Sequence, residues 1–405
     1  MNDQVMAFLI AAAILVIGFL ANVLFKKTGW PEILLLIIIG IIIGPILNLF
    51  PKEAILPALP LISTFTLLMV LFRGGMELNI AEVVSGSARG LLQAGMYFAL
   101  GMVLITLFLH FVMGWYLIES LMLGSILSQT GEVVIIPLAK KLRLKPQTVI
   151  LLSLEAVITS IFNIVFFFAF LSAQTIGIFN FTGALIQIGM SFLVGIAIGT
   201  LMGIIWLKAL FYLGKEELAY MVTIGYIFLS YVISEFLSGS GPLAVLALGL
   251  VLGNEKEFLR RLRLGHVTSA YSELKTYLMR FQFEVSFILR AFFFVLLGLM
   301  FELSQSSILS MLIYGLPILG ILLATRYIVA SASTWRSPMS EEKRPIVAMC
   351  ALGMTPVLLS FIALQYNLPK APLYLLIVTN VIIATNIITS AAALTRTKTK
   401  YDNYE

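Results

Sequence analysis

Two carboxylates stand inside apolar stretches where a charge is expensive to place. Glu132 closes the run Ser128-Gln129-Thr130-Gly131-Glu132, and Glu155 opens a polar stripe continued by Thr159, Ser160 and Asn163. Two arginines, Arg290 and Arg326, lie in other apolar stretches. An ionisable residue in a membrane-length helix marks an ion or proton path, or pairs with another charge. Glu155, Thr159 and Asn163 are spaced i, i+4, i+8 and share one helix face, with Ser160 one step round. Such a row of oxygens could hold a dehydrated cation. Hydrogen bonding between packed helices accounts for Thr159 and Ser160 equally well, and for Asn163 better. Gly131 lets a helix unwind beside Glu132, and a break at membrane depth is tolerated only where protein or a watery cavity covers it.

Helical rise places the four charges. Glu132 lies about 12 Å from the basic turn that starts at Lys140, and Glu155 about 12 Å from Gln147. Arg326 lies about 15 Å from Arg336, and Arg290 about 9 Å from Glu284. All four fall near one layer, where charges must pair or be solvated. Glu155 and Arg326 read as a fixed structural ion pair. Glu132, flanked by Gln129 and Thr130, reads as the titrating group. In the competing arrangement Arg290 holds Glu132, the four charges cancel, and no titratable group remains.

The elements that carry these residues follow from composition. The chain has 405 residues, 60% hydrophobic and 11% charged, too few charges for a soluble domain of this length. About thirteen apolar runs are long enough, or nearly so, to cross roughly 30 Å of hydrocarbon. They fall near 5–25, 31–49, 58–77, 90–113, 116–139, 147–172, 182–207, 217–237, 241–253, 284–303, 306–333, 345–365 and 371–394. The expected class is therefore all-α and polytopic. The loops after even-numbered runs hold only Lys52 and Lys370, and the remaining loop lysines and arginines follow odd-numbered runs. Basic loops stay cytoplasmic, which puts the C-terminus in the cytoplasm and the N-terminus outside, in a multi-pass protein of the cell membrane.

The chain repeats itself. Val70 to Leu78 in the third run resembles Val295 to Leu303 in the tenth, and the pair Gly40, Gly44 in the second matches Gly249, Gly253 in the ninth. Matching runs are seven apart, so the halves have opposite topology, as in secondary transporters built from inverted repeats with interrupted helices. Residues 1–181 form the first repeat, 182–216 a linking seventh span, 217–395 the second repeat and 396–405 a polar tail. The fifth run, broken at Gly131, then corresponds to the twelfth, which carries Gly353-Met354-Thr355-Pro356.

Other classes find little support. The single cysteine, Cys350, excludes an intramolecular disulfide and a cysteine metal cluster. His110 and His266 make no plausible metal site. No nucleophile–base pair points to an enzyme, and no cofactor is implied. The net charge of +6 sits in short loops and is no nucleic-acid signal. The stretch Glu255 to Phe283 is basic and amphipathic and reads as lying along the cytoplasmic interface. Phe292-Phe293-Phe294 reads as lipid-facing or as packing.

The sequence resembles the monovalent cation:proton antiporters, in particular the NhaP-like sodium/proton exchangers of archaea and bacteria. The likeness rests on Trp30-Pro31-Glu32 followed by Gly40 through Pro45, on Leu71 through Glu77, on Ser238 through Val245, on Phe292 through Gly298 and on Arg326-Tyr327. It implies a homodimer, a core domain moving against a dimer domain, and crossed broken helices in spans five and twelve. It also implies that Thr130, Thr159, Glu155 and Arg326 occupy family positions. The departure falls on the chemistry. The family's sixth span usually carries an aspartate five positions after the glutamate, where this chain has Ser160. Its fifth span usually reads Thr-Asp-Pro or a serine-rich variant, where this chain has Thr130-Gly131-Glu132. Glu132 as a relocated carboxylate is our own inference.

The expected activity is exchange of Na⁺ or K⁺ (or Li⁺) for protons by alternating access, with cation and proton competing for Glu132, assisted by Thr130, Thr159 and Ser160. Such competition needs a carboxylate that titrates near the working pH. Gln129, Asn163 and Arg290 are further candidates at the site. The alternative keeps the fold and loses coupled exchange, or moves another solute.

Overall fold

The computed structural model describes residues 3–28, 32–49, 59–78, 88–176, 181–213, 219–262, 269–301 and 309–401. Among these the chain is all-helical, with no strand. The helices are α1 (Asp3–Thr28), α2 (Glu32–Ile41), α3 (Leu59–Glu77), α4 (Ala88–Leu107), α5 (Leu117–Leu127), α6 (Glu132–Lys141), α7 (Pro146–Ile176) and α8 (Phe181–Leu213). There follow α9 (Ala219–Phe236), α10 (Gly241–Gly253), α11 (Glu255–Leu262), α12 (Ser269–Leu299), α13 (Leu316–Ser333), α14 (Lys343–Ala348), α15 (Thr355–Gln365) and α16 (Ala371–Tyr401). Among the described residues 7 helices are long and apolar enough to cross a membrane, and α1, α2, α5, α9, α10 and α15 carry shorter apolar stretches. A helix satisfies its own backbone groups, which is why apolar runs adopt it in hydrocarbon.

Wide turns of π-helix extend α2 over Ile42–Ile46, extend α4 over Phe108–Val112 and precede α13 over Met311–Gly315. Pro45 lies inside the first; a proline removes a backbone donor, and the wider turn accommodates it. The tenth span starts earlier than its hydropathy suggests: α12 is one helix of 31 residues from Ser269, so most of the amphipathic stretch after α11 continues into it. Phe293 and Phe294 are fully buried, and Phe293 meets the ring of Phe361 with centroids 5.7 Å apart, so these two aromatics pack inside the protein rather than face lipid. Trp30 and Pro31 lie outside the described residues.

The chain forms two compact units. One comprises Met1–Ser63, Ser87–Phe167 and Ile288–Glu405, the other Thr64–Gly86 and Phe168–Phe287. In the first, α2 lies against the last turns of α12. A Cβ on Gly298 would come 2.8 Å from the Cα of Gly40, and one on Gly44 would come 2.9 Å from the Cα of Leu299. In the second, α10 lies against α3 in the same way. A Cβ on Gly253 would come 2.8 Å from the Cα of Met76, and one on Gly75 would come 2.8 Å from the amide nitrogen of Leu250. Only glycine permits such backbone approach.

The two fingerprints of the repeat are thus the two faces of one recurring contact. Gly40 and Gly44 correspond to Gly249 and Gly253, and Gly298 corresponds to Gly75. The structural register differs by two residues from the one the sequence suggests, because the glycine, not the following glutamate, fixes the contact.

Candidate ion-binding site

The site is built where two helices stop and restart. After α5 the backbone leaves the helix at Ser128 and re-enters it at Glu132, with Gly131 extended (φ −84°, ψ 110°). After α14 it leaves at Met349, and α15 begins at Thr355, with Pro356 in its first turn. The breaks touch at their glycines. The Gly131 amide donates to the Ala351 carbonyl at 2.7 Å. A Cβ on Gly131 would lie 2.5 Å from the Gly353 nitrogen and 2.7 Å from its Cα, and a Cβ on Gly353 would lie 3.0 Å from the Gly131 Cα. Each break exposes backbone groups that have lost their helical partners, and neighbouring helices supply replacements. On α7, Asn163 Nδ2 donates to the Ile126 carbonyl at 2.6 Å, and Thr159 Oγ1 accepts from the Thr130 amide at 3.4 Å. On α16, Asn386 Nδ2 donates to the Leu352 carbonyl at 3.1 Å, and Thr385 Oγ1 accepts from the Leu352 amide at 3.4 Å.

Glu132 is half-buried at the first position of α6. Its Oε2 lies 3.1 Å from Ser160 Oγ, which also lies 2.9 Å from Gln129 Oε1. Three of the expected site residues, Glu132, Ser160 and Gln129, therefore come together. Thr130 and Gln129 are fully buried, and the Thr130 hydroxyl and Gln129 Nε2 have no hydrogen-bond partner among the described residues. Thr159 is placed differently. Its hydroxyl donates to the Glu155 carbonyl at 2.8 Å, so its proton and one lone pair serve the backbone.

Glu155 and Arg326 form a salt bridge with both side chains buried, and a second contact joins Arg326 Nη2 to Glu155 Oε2 at 3.4 Å. Gln93 Nε2 donates to the same Oε2, and Gln93 Oε1 accepts from Ser333 Oγ at 2.5 Å. Arg326 Nε donates to the Ile346 carbonyl at 2.9 Å, and its guanidinium lies 5.1 Å from the centre of the Tyr97 ring. The pair thereby joins α4, α7, α13 and α14. Gln93 and Tyr97 were not singled out by the sequence; their i, i+4 spacing on one helix was the available signal.

Arg290 is set against a carboxylate near the start of the chain. Its Nη2 lies 2.6 Å from Glu32 Oε1, and Asn22 Nδ2 donates to Glu32 Oε2 at 2.8 Å. Glu32, which the sequence did not single out as a partner, is thus a buried carboxylate set against Arg290. The geometry follows from the packing of α2 on α12, which brings the first turn of α2 beside Arg290.

Spanning helices, two of them interrupted and crossing at glycines, with buried charges paired between helices, define a polytopic membrane protein of the secondary-transporter class. The model of the family described as sodium/hydrogen exchanger, transmembrane, matches residues 10–395; the chain belongs to that family, whose activity is exchange of monovalent cations for protons. It is 24% identical over 309 residues to Na(+)/H(+) antiporter 1 of Methanocaldococcus jannaschii, covering 72% of this chain and 67% of that protein. It is 26% identical over 285 residues to probable Na(+)/H(+) antiporter 2 of the same organism, covering 67% of this chain and 64% of that protein. The alignments thus span about two thirds of each relative's length. The solved structure of the sodium proton antiporter MjNhaP1 from that organism at pH 8 superposes with a TM-score of 0.79 at 22% identity, over 97% of this chain and 99% of that one.

Proposed function

We propose that this protein exchanges Na⁺ or K⁺ for protons by alternating access, and that Glu132 is the carboxylate for which cation and proton compete. The observation that carries the assignment is the position of Glu132. It opens α6 beside the crossing of the two breaks and shares Ser160 with Gln129. Thr130 and Ser160 supply hydroxyl oxygens beside it, and Thr159 assists by holding the Thr130 backbone. Glu155, held by Arg326 and Gln93, is structural in this reading. A bound cation would neutralise Glu132 as a proton does, which is why the two compete.

The same reading places the protein in the cell membrane as a homodimer, with its N-terminus outside and its C-terminus cytoplasmic. It takes residues 1–181 and 217–395 as the inverted repeats, 182–216 as the linking span and 396–405 as a cytoplasmic tail. The deciding experiment measures ²²Na⁺ and ⁸⁶Rb⁺ uptake into proteoliposomes against an imposed pH gradient. Glu132→Gln keeps the shape and removes the titrating oxygen, so coupled uptake should vanish while assembly survives. Equal coupled uptake in both proteins would rule out Glu132 as carrier.

A further inference from the structure

Ser160 carries a single hydroxyl proton and lies within hydrogen-bond distance of two oxygens, Gln129 Oε1 at 2.9 Å and Glu132 Oε2 at 3.1 Å. It can donate to only one of them at a time. When Glu132 is ionised and unloaded, its charge draws the proton. When Glu132 is protonated, Glu132 itself becomes the donor toward Ser160 Oγ, and the Ser160 proton needs another acceptor. When a cation lies between Ser160 Oγ and Glu132, the Ser160 lone pairs must face the cation, and its proton must again turn away. Gln129 Oε1 is the acceptor at hand for both loaded forms. Gln129 is fully buried within the break, with its carbonyl toward Ser160 even though its Nε2 has no acceptor among the described residues.

We infer that Gln129 is a positioning residue that turns the Ser160 hydroxyl, making Ser160 an oxygen ligand of the transported cation and setting the affinity of the site. The inference rests on Glu132 being the exchanging carboxylate. Gln129 touches no cation itself; it acts through the direction of one proton. Because it accepts that proton in the loaded forms, it strengthens loading more than it strengthens the unloaded form. The buried hydroxyl of Thr130, without a partner among the described residues, provides a further neutral oxygen next to Gln129 in the chain.

The test is a double-mutant cycle on cation affinity in proteoliposomes, with Na⁺ as the probe and the half-saturating concentration as the readout. Gln129→Leu should raise that concentration roughly tenfold, the loss of about one hydrogen bond. Ser160→Ala should do the same, and Ser160→Thr, which keeps the hydroxyl, should stay near the parent. The double variant Gln129→Leu/Ser160→Ala should be no worse than Ser160→Ala, since without the hydroxyl Gln129 has nothing to turn. Independent effects that multiply in the double variant, or parental affinity in Gln129→Leu, would overturn the inference. Should Gln129→Leu fail to assemble, Ser160→Ala against Ser160→Thr decides: equal affinities in those two would overturn it as well. Coupled uptake surviving Glu132→Gln is a separate result. It would remove the carrier assignment, whatever the cycle shows.

Discussion

Replacing Arg326 with alanine should destabilise the protein more than any exposed substitution. The guanidinium makes two contacts to Glu155, one to the Ile346 carbonyl, and lies over Tyr97, with the whole side chain 2% exposed and that of Glu155 0% exposed. Removing one partner of a buried ion pair costs about 3–5 kcal/mol, because the other charge stays buried. A buried carbonyl left without its donor costs about 1–3 kcal/mol. Gln93 still donates to Glu155 and softens the first of these, so a loss of about 4–6 kcal/mol is expected overall. Glu155→Gln should cost somewhat less, since the amide oxygen still accepts a hydrogen bond. The double variant Glu155→Gln/Arg326→Met removes both charges and retains volume. Replacing both members of a buried pair is often neutral, so it should melt above either single variant. The assay is thermal unfolding of purified protein in detergent, followed by the monodisperse fraction on size exclusion. A single variant as stable as the parent, or a double variant whose loss equals the sum of the two, would refute a paired, desolvated bridge.

Gly131→Ala should abolish exchange, because the added carbon meets the Gly353 backbone at 2.5 Å and the two breaks must move apart; parental uptake would show that the crossing tolerates separation. Glu32→Gln removes a buried carboxylate charge set against Arg290 and should lower the midpoint in the same melting assay; an unchanged melt would show that the pair contributes nothing to stability. Glu341 is exposed, and its hydrogen bond and attraction to Lys145 hold its carboxyl below the usual glutamate range. A carboxyl lowered by folding stabilises above its unfolded pKa, and that contribution is lost as pH falls through the folded value. The small difference between parent and Glu341→Gln should therefore be present at neutral pH and vanish in acid; a difference that grows in acid would contradict the pairing.

What the sequence discloses is whatever one element decides alone. The broken spans are legible because Gly131 and the Gly353-to-Pro356 run interrupt otherwise apolar stretches, and a helix interruption is a local event. The charges at Glu132, Glu155, Arg290 and Arg326 are legible because each is costly where it stands. Their partners are tertiary facts. Glu32 opens an apolar run and reads as an ordinary acidic start of a helix, a place where a carboxylate is favourable; only the approach of α2 to α12 makes it the counter-ion of Arg290. Gln93 is uncharged and so escapes a search for buried charges, yet it joins Glu155 to Ser333. Thr159 shares its stripe with Glu155 and Asn163, and its hydroxyl also bonds to the Thr130 amide and the Glu155 carbonyl. A stripe shows which residues share a face and not which atoms are already taken.

The division of labour along α7 explains how the site can lack an aspartate at position 160 without losing its frame. Thr159 and Asn163 brace the first break, as Thr385 and Asn386 on α16 brace the second, and none of these four contacts requires a charge at 160. Glu155 is bound by Arg326 and Gln93 rather than by its neighbour five positions on. Position 160 is thus free to change while the crossing stays held. On the proposed reading the negative charge has moved from the middle of α7 to the first residue of α6. The middle of a continuous helix offers a carboxylate no unpaired backbone donors, whereas a helix start offers several, together with the favourable end of the dipole. The relocation therefore places the exchanging group where the fold already tolerates an anion, and leaves Ser160 as a neutral oxygen beside it.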